Sequence, residues 1–401
     1  MLLFFKFVKA SVYSISKINK TKATDLINSM STMDEESTIR ESNQSEVTCP
    51  SCGGNLLFMP GTSVLRCEHC GTDKAIEEST STVDELDFEE YVSSLSESIE
   101  KHTINTTRCE SCGASVSFDP NVVSERCPFC SSILVINNSE TQTQIKPGSL
   151  LPFGITKNKA YDNFRTWIKK LWFAPNSLKQ HITEQEALKG LYIPYWTYDA
   201  DTTTQYSGLR GDHYTEQETY TVMENGSPVT RTRTVTKTRW TNVSGTVSSF
   251  FDDILILASK SLPKNKANKL EPWDLSNLKP FDELYLSGFR TETYQVDLKS
   301  GYAEAKQIME NEIYNLIKMD IGGDVQQIVS KSTVIKDVKF KHILLPIYIS
   351  AYKFRKKIYR FLVNARTGEV QGERPYSAWK IIMFILLLIS IFVGIWYLVG
   401  N

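Results

Sequence analysis

The chain has 401 residues, of which 41% are aliphatic, aromatic or cysteine side chains, and its formal net charge is −1. This length allows more than one domain, and the composition is that of a globular protein. The total charge is uninformative until it is divided by region: residues 1–30 carry +4, residues 31–145 carry −14 and residues 146–401 carry +9. This asymmetry therefore says more about function than the total does.

The N-terminal tail, residues 1–45, opens with an apolar run that Lys6 and Lys9 interrupt and continues with polar, acidic residues after Met30. A secretory signal needs an unbroken apolar core and a small-residue cleavage site, and the sequence has neither. An organellar transit peptide stays open as an alternative. We predict a disordered tail or a mis-assigned start, with the working protein beginning at Met30 or Met33.

All eight cysteines belong to C-x-x-C pairs, and the spacing C-x2-C-x14-C-x2-C occurs twice. Four thiolates close a tetrahedron around Zn²⁺ and leave no open position for a substrate or a catalytic water. Paired knuckles in a long chain indicate metal and a reducing compartment, not a disulfide framework. We predict two structural zinc ions in ribbons at residues 46–75 and 106–136, with iron or a redox pair as the competing interpretation. The predicted ligands are Cys49, Cys52, Cys67, Cys70, Cys109, Cys112, Cys127 and Cys130.

Three of the four knuckles continue with a glycine, namely Gly53, Gly71 and Gly113. A tight turn at that position uses a residue that is free to take a positive φ. The fourth knuckle reads CPFCSS, so we expect the second site to be less regular. His69 could replace a thiolate, although a solvated loop histidine is the interpretation we favour.

Zinc ribbons often contact nucleic acid, but residues 31–145 contain only six basic side chains against 20 acidic ones. Binding a polyanion requires Lys and Arg to neutralise phosphates. We therefore predict that these ribbons dock proteins and do not bind nucleic acid.

The segments around the ribbons are predicted to be connections. In residues 76–105, Phe88, Tyr91, Val92 and Leu95 follow a helical period and predict an acidic linker helix. Residues 137–149 have the composition of a linker.

Residues 150–376 are rich in aromatic side chains and predict an α+β domain. One helix carries an apolar face, a second covers GYAEAKQIMENEIYNLIKMDI, and Asn225-Gly226 predicts a hairpin turn between two long strands. YIPYWTYDA and LLPIYISAYKF echo each other around Pro194 and Pro346, which suggests two related strand units. The apolar face of the first helix consists of Ala160, Phe164, Trp167, Ile168 and Leu171.

Two groups of basic residues stand out in this domain. The first group has odd numbers only, so a strand presents its members on one face. We weighed three interpretations, namely solvated strand faces, contact with anionic lipid, and contact with an acidic partner. The candidate contact residues are Arg231, Arg233, Lys237 and Arg239, and then Lys353, Arg355, Lys356 and Lys357.

Catalytic motifs are absent from the sequence. It contains no phosphate-binding loop, no H-E-x-x-H and no G-x-S-x-G. Asp212, His213, Glu216 and Glu218 could form an acid/base site, but solvated turn residues are the favoured interpretation. We therefore predict neither an enzyme nor a small-molecule substrate.

The C-terminus predicts one transmembrane helix over residues 379–400. Its uncharged core, Ile381 to Val399, is about 28 Å long as a helix and is flanked by Trp379 and Trp396. Basic residues precede it and none follows, so the positive-inside rule predicts a single-pass protein of the cell membrane whose bulk is cytoplasmic.

With these pieces, the chain resembles a bacterial family of membrane-anchored, TFIIB-type double zinc-ribbon proteins. The two ribbons, LLPFGITKNKAYDNFRTWIKKLWFAPNSLK, GLYIPYWTYDADTTTQYSGLRGDHY, LLPIYISAYKF and TGEVQGERPYSAWK carry the resemblance. Members are often labelled primosomal or replication-restart helicase-like, but this sequence has no nucleotide-binding loop to support that label. The resemblance implies an adaptor in envelope stress, with SPFH (flotillin-like) or phage-shock-protein-A-like membrane proteins as partners.

The expected architecture is therefore two small, mostly β zinc ribbons, an α+β domain and one C-terminal transmembrane helix. The expected function is recruitment of partner proteins at the membrane, with no chemical step. The alternative is a nucleic-acid-binding or replication accessory protein that uses the ribbons.

Overall fold

A computed structural model describes residues 47–77, 82–94, 101–117, 124–135, 139–175, 188–354, 357–373 and 376–400. The predicted N-terminal tail and the question of the start codon lie outside the described residues. The architecture is mostly β, with two four-cysteine clusters and an apolar C-terminal helix.

Strands account for most of the regular structure. The strands before the main sheet are β1 Leu56–Phe58, β2 Val64–Cys67, β3 Asp73–Ala75, β4 Leu86–Asp87, β5 Lys101–Arg108, β6 Ser115–Val116, β7 Ser124–Arg126, β8 Ile133–Val135 and β9 Ser139–Ile145. The later strands are β10 Ser149–Leu150, β11 Lys189–Glu224, β12 Ser227–Leu257, β13 Lys279–Pro280, β14 Arg290–Thr291, β15 Val325–Phe354, β16 Lys357–Asn364 and β17 Val370–Gly372.

The α-helices are α1 Phe88–Ser94, α2 Lys157–Lys169, α3 Lys264–Ala267, α4 Leu298–Ile321 and α5 Ala378–Gly400. Short 3-10 turns occupy Asn268–Leu270, Leu275–Asn277 and Glu283–Leu286.

The main sheet is built on three very long strands in the order β12-β11-β15, continued by β10 and β13. Residues 191–200 of β11 are buried on both faces, whereas residues 201–206 alternate between exposed and buried. This change of pattern means that the sheet around residues 191–200, here called the base of the sheet, is covered on both faces. The region around residues 201–206 is covered on one face only. The predicted turn at Asn225 and Gly226 is confirmed, because both residues have positive φ and connect β11 to β12.

The two proline-containing segments that echo each other pair with each other. Ile193 lies opposite Leu345, with Pro194 on one side of this pair and Pro346 on the other. Proline cannot donate a hydrogen bond to a neighbouring strand, so a central strand rarely tolerates it. The symmetric placement around one pair agrees with two related strand units.

Both predicted helices of residues 150–376 are confirmed. In α2, Phe164 and Trp167 pack on Phe361 of β16, with ring centroids 5.2 and 5.7 Å apart. Helix α4 begins at Asp297, whose side chain accepts a hydrogen bond from the Ser300 backbone N–H. From residue 305 onward its buried residues recur every four positions and pack against β11, β12 and β15. They are Ala305, Met309, Ile313, Ile317 and Ile321.

The connecting segments differ from the prediction. The helix in the first connection is one short element, α1, whose residues Phe88 and Tyr91 pack on Phe340; Leu95 lies outside the described residues. Strand β9 lies within the predicted linker 137–149 and pairs with β5 along its whole length. Its alternating sequence SETQTQI is polar on both faces, so no apolar period revealed the strand.

Helix α5 is long and apolar enough to cross a membrane, and none of residues 378–398 is buried. An apolar helix that the fold leaves uncovered is unlike the core helix of a soluble protein.

Candidate metal centres

Each group of four cysteines brings its sulfur atoms together, with all four lying within 4.8 Å of one another. In the first cluster, the Cys49–Cys70 and Cys52–Cys67 sulfurs are each 3.5 Å apart. In the second, Cys109–Cys130 and Cys112–Cys127 are 3.6 and 3.7 Å apart. Four sulfurs at about 2.3 Å from one metal ion are about 3.8 Å apart in a tetrahedron. Both donor sets therefore fit a tetrahedral metal ion and are too open for disulfides.

All four knuckles share one backbone arrangement. The residue after the second cysteine donates its N–H to the carbonyl of the first cysteine, at 2.7 to 3.0 Å in every knuckle. That residue has positive φ each time, and at the fourth knuckle it is Ser131, with φ 61°. The prediction of a less regular second site is wrong, because Ser131 adopts the conformation that glycine supplies elsewhere. The residues are Gly53, Gly71, Gly113 and Ser131.

The two clusters differ in exposure. Cys52 and Cys70 of the first cluster are exposed. The second cluster has no exposed member: Cys112 is half-buried, and its other three cysteines are buried. His69 is exposed and stands outside the four-sulfur group, in agreement with a solvated loop histidine.

The two modules lie on opposite faces of the main sheet. The first cysteine module, residues 47–77, shares a core with Tyr192 of β11. The second cysteine module, residues 101–145, shares a core with Leu191 and Ile193 of the same strand. Successive strand residues point to opposite faces, so the modules cover the base of the sheet from both sides.

The first module is joined to the body mainly by aromatic packing and backbone bonds. The Phe58 ring lies 5.2 Å from that of Tyr285 and 6.4 Å from that of Phe289. The Phe58 N–H donates to the Ser287 carbonyl at 3.1 Å, and the Ser287 hydroxyl donates to the Leu56 carbonyl at 2.5 Å. These contacts are made by β1, which lies between the two knuckles in the sequence.

The second module is held by charged contacts as well. The Glu125 carboxylate accepts from Lys189 at 2.6 Å and also from Arg290. The Arg360 Nε donates to the Phe129 carbonyl at 2.8 Å, inside the fourth knuckle. These contacts connect the second module, through β7 and the fourth knuckle, to strands β11, β14 and β16.

The chemistry of both clusters is that of closed sites. A hydrogen bond from the Cys127 thiol lowers the pKa of Cys112 to about 5, as expected where neighbouring sulfurs share protons. Four protein donors satisfy a tetrahedral ion, so the sites offer a substrate no coordination position.

The predicted basic face of β12 is present, but carboxylates of β11 pair with it. Arg231 pairs with Glu224, Arg233 with Glu218 at 3.1 Å, and Lys237 with Glu216 at 2.8 Å. Arg239 lies over the Tyr214 ring, 5.4 Å from its centroid. These pairs between Arg or Lys of β12 and Glu of β11 form a ladder of opposite charges along the hairpin. The ladder favours the interpretation of a solvated strand face whose charges neutralise each other. Contact of these basic residues with lipid stays a prediction.

The second basic group is only partly described. Lys357 is exposed and lies 5.5 Å from the ring centroid of Tyr359. Arg355 and Lys356 lie outside the described residues, and only the backbone of Lys353 is described.

The structure does not bring the acid/base candidates together. His213 points to the face of β11 opposite to Asp212, Glu216 and Glu218, and its Nδ1 lies 3.0 Å from the Thr238 hydroxyl. Asp212 pairs with Arg210 at 3.0 Å. These residues are therefore surface partners of their own hairpin.

Sequence reasoning missed a cluster of charged side chains at the bulge of the long strands, in which Asp199 is buried, Asp253 is half-buried and Asp252 is exposed. Asp199, Asp252 and Asp253 converge there, and Lys341 lies 2.8 Å from the Asp253 carboxylate. Glu85 adds a bond to Lys341 at 3.2 Å. Lys341 supplies the positive charge that the carboxylates need. No local motif signals this cluster, because four distant segments of the chain build it.

Among known proteins, the chain has a distant relative in a bacterium. The chain is similar to the uncharacterized protein YdjG of Bacillus subtilis, at 25% identity over 335 residues, which is 83% of this chain and 91% of that protein. No family model and no solved structure matches the chain.

Proposed function

We propose that the protein is a membrane-anchored zinc-ribbon adaptor that recruits partner proteins at the cytoplasmic face of the cell membrane. The observation that carries this proposal is an exposed hairpin, residues 212–239, here called the arm. β15 pairs with β11 only as far as Gly211, opposite Val325, so the arm extends past the third strand.

The arm contributes surface and no core. One of its faces carries the ladder of Arg, Lys and Glu side chains described above. Eight of the twelve strand residues on the other face are threonines, and these threonines are exposed except for half-buried Thr238. Among the described residues, no strand pairs with the outer edge of β12. Such an edge offers unpaired N–H and C=O groups to an extended segment of another protein. The threonines are Thr215, Thr219, Thr221, Thr230, Thr232, Thr234, Thr236 and Thr238.

The metal ions have a structural role in this proposal. We propose two zinc ions, each held by four cysteines, which fix the modules over the two faces of the sheet. The closed donor sets support this role, since they leave no position for chemistry. The exposed knuckles around Cys52 and Cys70 form a second docking surface.

Helix α5 is proposed as the anchor. Its length and apolar surface support a single span, and the basic residues before it support a cytoplasmic body. The family resemblance supports SPFH-like or phage-shock-protein-A-like membrane proteins as the first partners to test.

The test shortens the arm in register. Deleting residues 214–223 and 228–237 removes ten positions from each strand and keeps the Asn225-Gly226 turn between His213 and Thr238. Because ten is even, every remaining side chain keeps its face. Crosslinking with mass spectrometry on membranes should then lose the partner proteins that the full-length chain captures, with metal content and membrane fraction unchanged.

The matched control is Cys49→Ser with Cys52→Ser, which removes the first metal site and leaves the arm intact. A partner list unchanged by the shortened arm would contradict docking through the arm, and one unchanged by the cysteine variant would contradict docking through the first module. Crosslinks to nucleic acid in place of protein would favour the replication accessory alternative.

A further inference from the structure

We propose that the turn after α2, residues 169–174, is a second membrane contact that sits in the lipid headgroup layer beside the anchor. This inference rests on the proposed membrane span of α5. The turn lies outside both groups of basic residues discussed above, at positions 231–239 and 353–357, so it is a different candidate for lipid binding.

The turn is bonded to the start of α5. The Ser377 backbone N–H donates to the Phe173 carbonyl at 2.8 Å. The Lys380 Nζ donates to the Ala174 carbonyl at 2.8 Å and to the Trp172 carbonyl at 3.3 Å. These three bonds fix the height of the turn relative to the helix.

Ring packing sets that height inside the apolar segment. The Phe173 ring lies 5.4 Å from the Phe384 ring, at an angle of 77°. Phe384 is the fourth residue of the uncharged run that starts at Ile381, so it lies about 5 Å below the start of the span. Phe173 therefore reaches the boundary between headgroups and acyl chains.

The neighbouring aromatic side chains are exposed, which is costly in water for residues of this size. Trp172 is 74% exposed, Trp379 69% and Tyr376 58%. Trp and Tyr concentrate at membrane–water interfaces, where their rings contact the acyl boundary and their polar groups contact water. Trp172 belongs to the turn that is bonded to the start of α5, and Tyr376 and Trp379 flank or open that helix, so all three lie where an interfacial belt would be.

The charge of the turn fits anionic lipid. Lys169 and Lys170 are both exposed at the end of α2, and no acidic residue occurs between Arg165 and Pro175. Basic residues close to an anionic bilayer are attracted to its headgroups. Unlike Lys169 and Lys170, Lys380 does not point its charge toward lipid, because its ammonium group donates hydrogen bonds to the carbonyls of Trp172 and Ala174.

A two-point contact would orient the whole body. Helix α2 packs on Phe361 through Phe164 and Trp167, so the turn is rigidly connected to the main sheet. A single helix leaves the body free to swivel above the bilayer. Adding the turn defines which side of the sheet faces the membrane.

Photocrosslinking in liposomes separates this inference from the proposed span. The photoreactive residue p-benzoylphenylalanine replaces Trp172, Phe392 within the span, or Trp240 at the base of the arm, one at a time in the full-length chain. Trp172 and Trp240 are both exposed, so the substitutions leave the core intact. We expect lipid adducts at positions 172 and 392 and at most a tenth as many at position 240.

Adducts at position 392 without adducts at 172 would overturn the inference and keep the span. Absence of adducts at both positions would overturn the span itself. In a second experiment, Lys169→Gln with Lys170→Gln should reduce the adduct yield at position 172 severalfold in phosphatidylglycerol vesicles and leave it unchanged in phosphatidylcholine. Equal yields in both lipids for the parent chain would overturn the anionic headgroup contact.

Discussion

The two cysteine modules have the same knuckle geometry and different surroundings. The first leaves Cys52 and Cys70 exposed, whereas no cysteine of the second is exposed. The second module also inserts the fully buried side chain of Phe129, which lies between its last two cysteines, into the core of the sheet. The same cysteine-turn geometry therefore occurs in a partly exposed cluster in the first module and in a cluster without exposed cysteines in the second. The difference comes from how each module packs on the main sheet.

The largest expected effect comes from breaking one cluster at a time. Cys127→Ser should remove one metal ion and cost more than about 4 kcal/mol, because it leaves a buried hydroxyl and frees the turn that carries Phe129. Cys70→Ser should also remove one metal ion, but at a smaller cost, since Cys70 is exposed. Elemental analysis and thermal unfolding in detergent measure both quantities. Equal losses of stability would contradict the distinction between the modules.

A pH effect tests the connection between the second module and the sheet. His342 is buried beside Trp196, and its Nδ1 lies 3.0 Å from the Ile145 carbonyl at the end of β9. Burial lowers the pKa of His342 from 6.5 to about 4. In the unfolded chain His342 is protonated below about pH 6.5, whereas in the folded chain it stays neutral down to about pH 4. The free energy of unfolding therefore falls as the pH falls through this window. The loss at pH 5 is about 2 kcal/mol.

Denaturant unfolding at pH 7 and pH 5 measures this effect. In His342→Phe, which cannot titrate, the difference in unfolding free energy between the two pH values should shrink by that amount. An unchanged difference would assign the pH dependence to other groups.

Charged contacts give the next comparison, since each module contains an ion pair. Glu125→Gln should lower stability by about 2 kcal/mol, because Lys189 and Arg290 then lose a half-buried carboxylate. Asp73→Asn should change nothing measurable, because the Arg66–Asp73 pair of the first module is exposed. Thermal unfolding of the two variants side by side measures both, and a larger effect for Asp73→Asn would reverse the conclusion.

The smallest effect concerns the shared knuckle geometry. Gly53 and Gly113 have φ of 71° and 77°, and a Cβ at either would meet no atom within 4 Å. Alanine at each position should therefore cost about 1 kcal/mol through backbone strain alone. Chemical denaturation should give similar values for the two variants; clearly unequal values would mean that the backbone strain differs between the modules.

Local patterns predicted a large part of this molecule. The grouping of the eight cysteines into two four-sulfur clusters follows from their spacing, the turn of the long hairpin follows from Asn225-Gly226, and α2 and α4 follow from their apolar periods. Each of these features depends on residues that are close together in the chain, which is why one sequence was enough.

The features that the sequence did not reveal depend on distant pairing. The carboxylates that pair with Arg231 and Arg233 come from β11, and only the hairpin register brings them within reach. The different exposure of the two modules depends on which face of β11 each one covers. The contact between Phe173 and Phe384 joins positions more than two hundred residues apart. Spacing alone carries no information about such neighbours.

The central ladder between β11 and β15 also determines when the protein can fold during its synthesis. Gly211 and its partner Val325 are more than a hundred positions apart, and Tyr192 pairs later still with Pro346. At about 5 to 20 residues per second, the ribosome needs on the order of ten seconds to deliver the missing strand. During that interval β11 and β12 can form their hairpin. The other edge of β11, around Trp196, stays unpaired until β15 has been synthesised. The nascent chain therefore passes through an aggregation-prone stage before helix α5 is made, which is when a chaperone would be most needed.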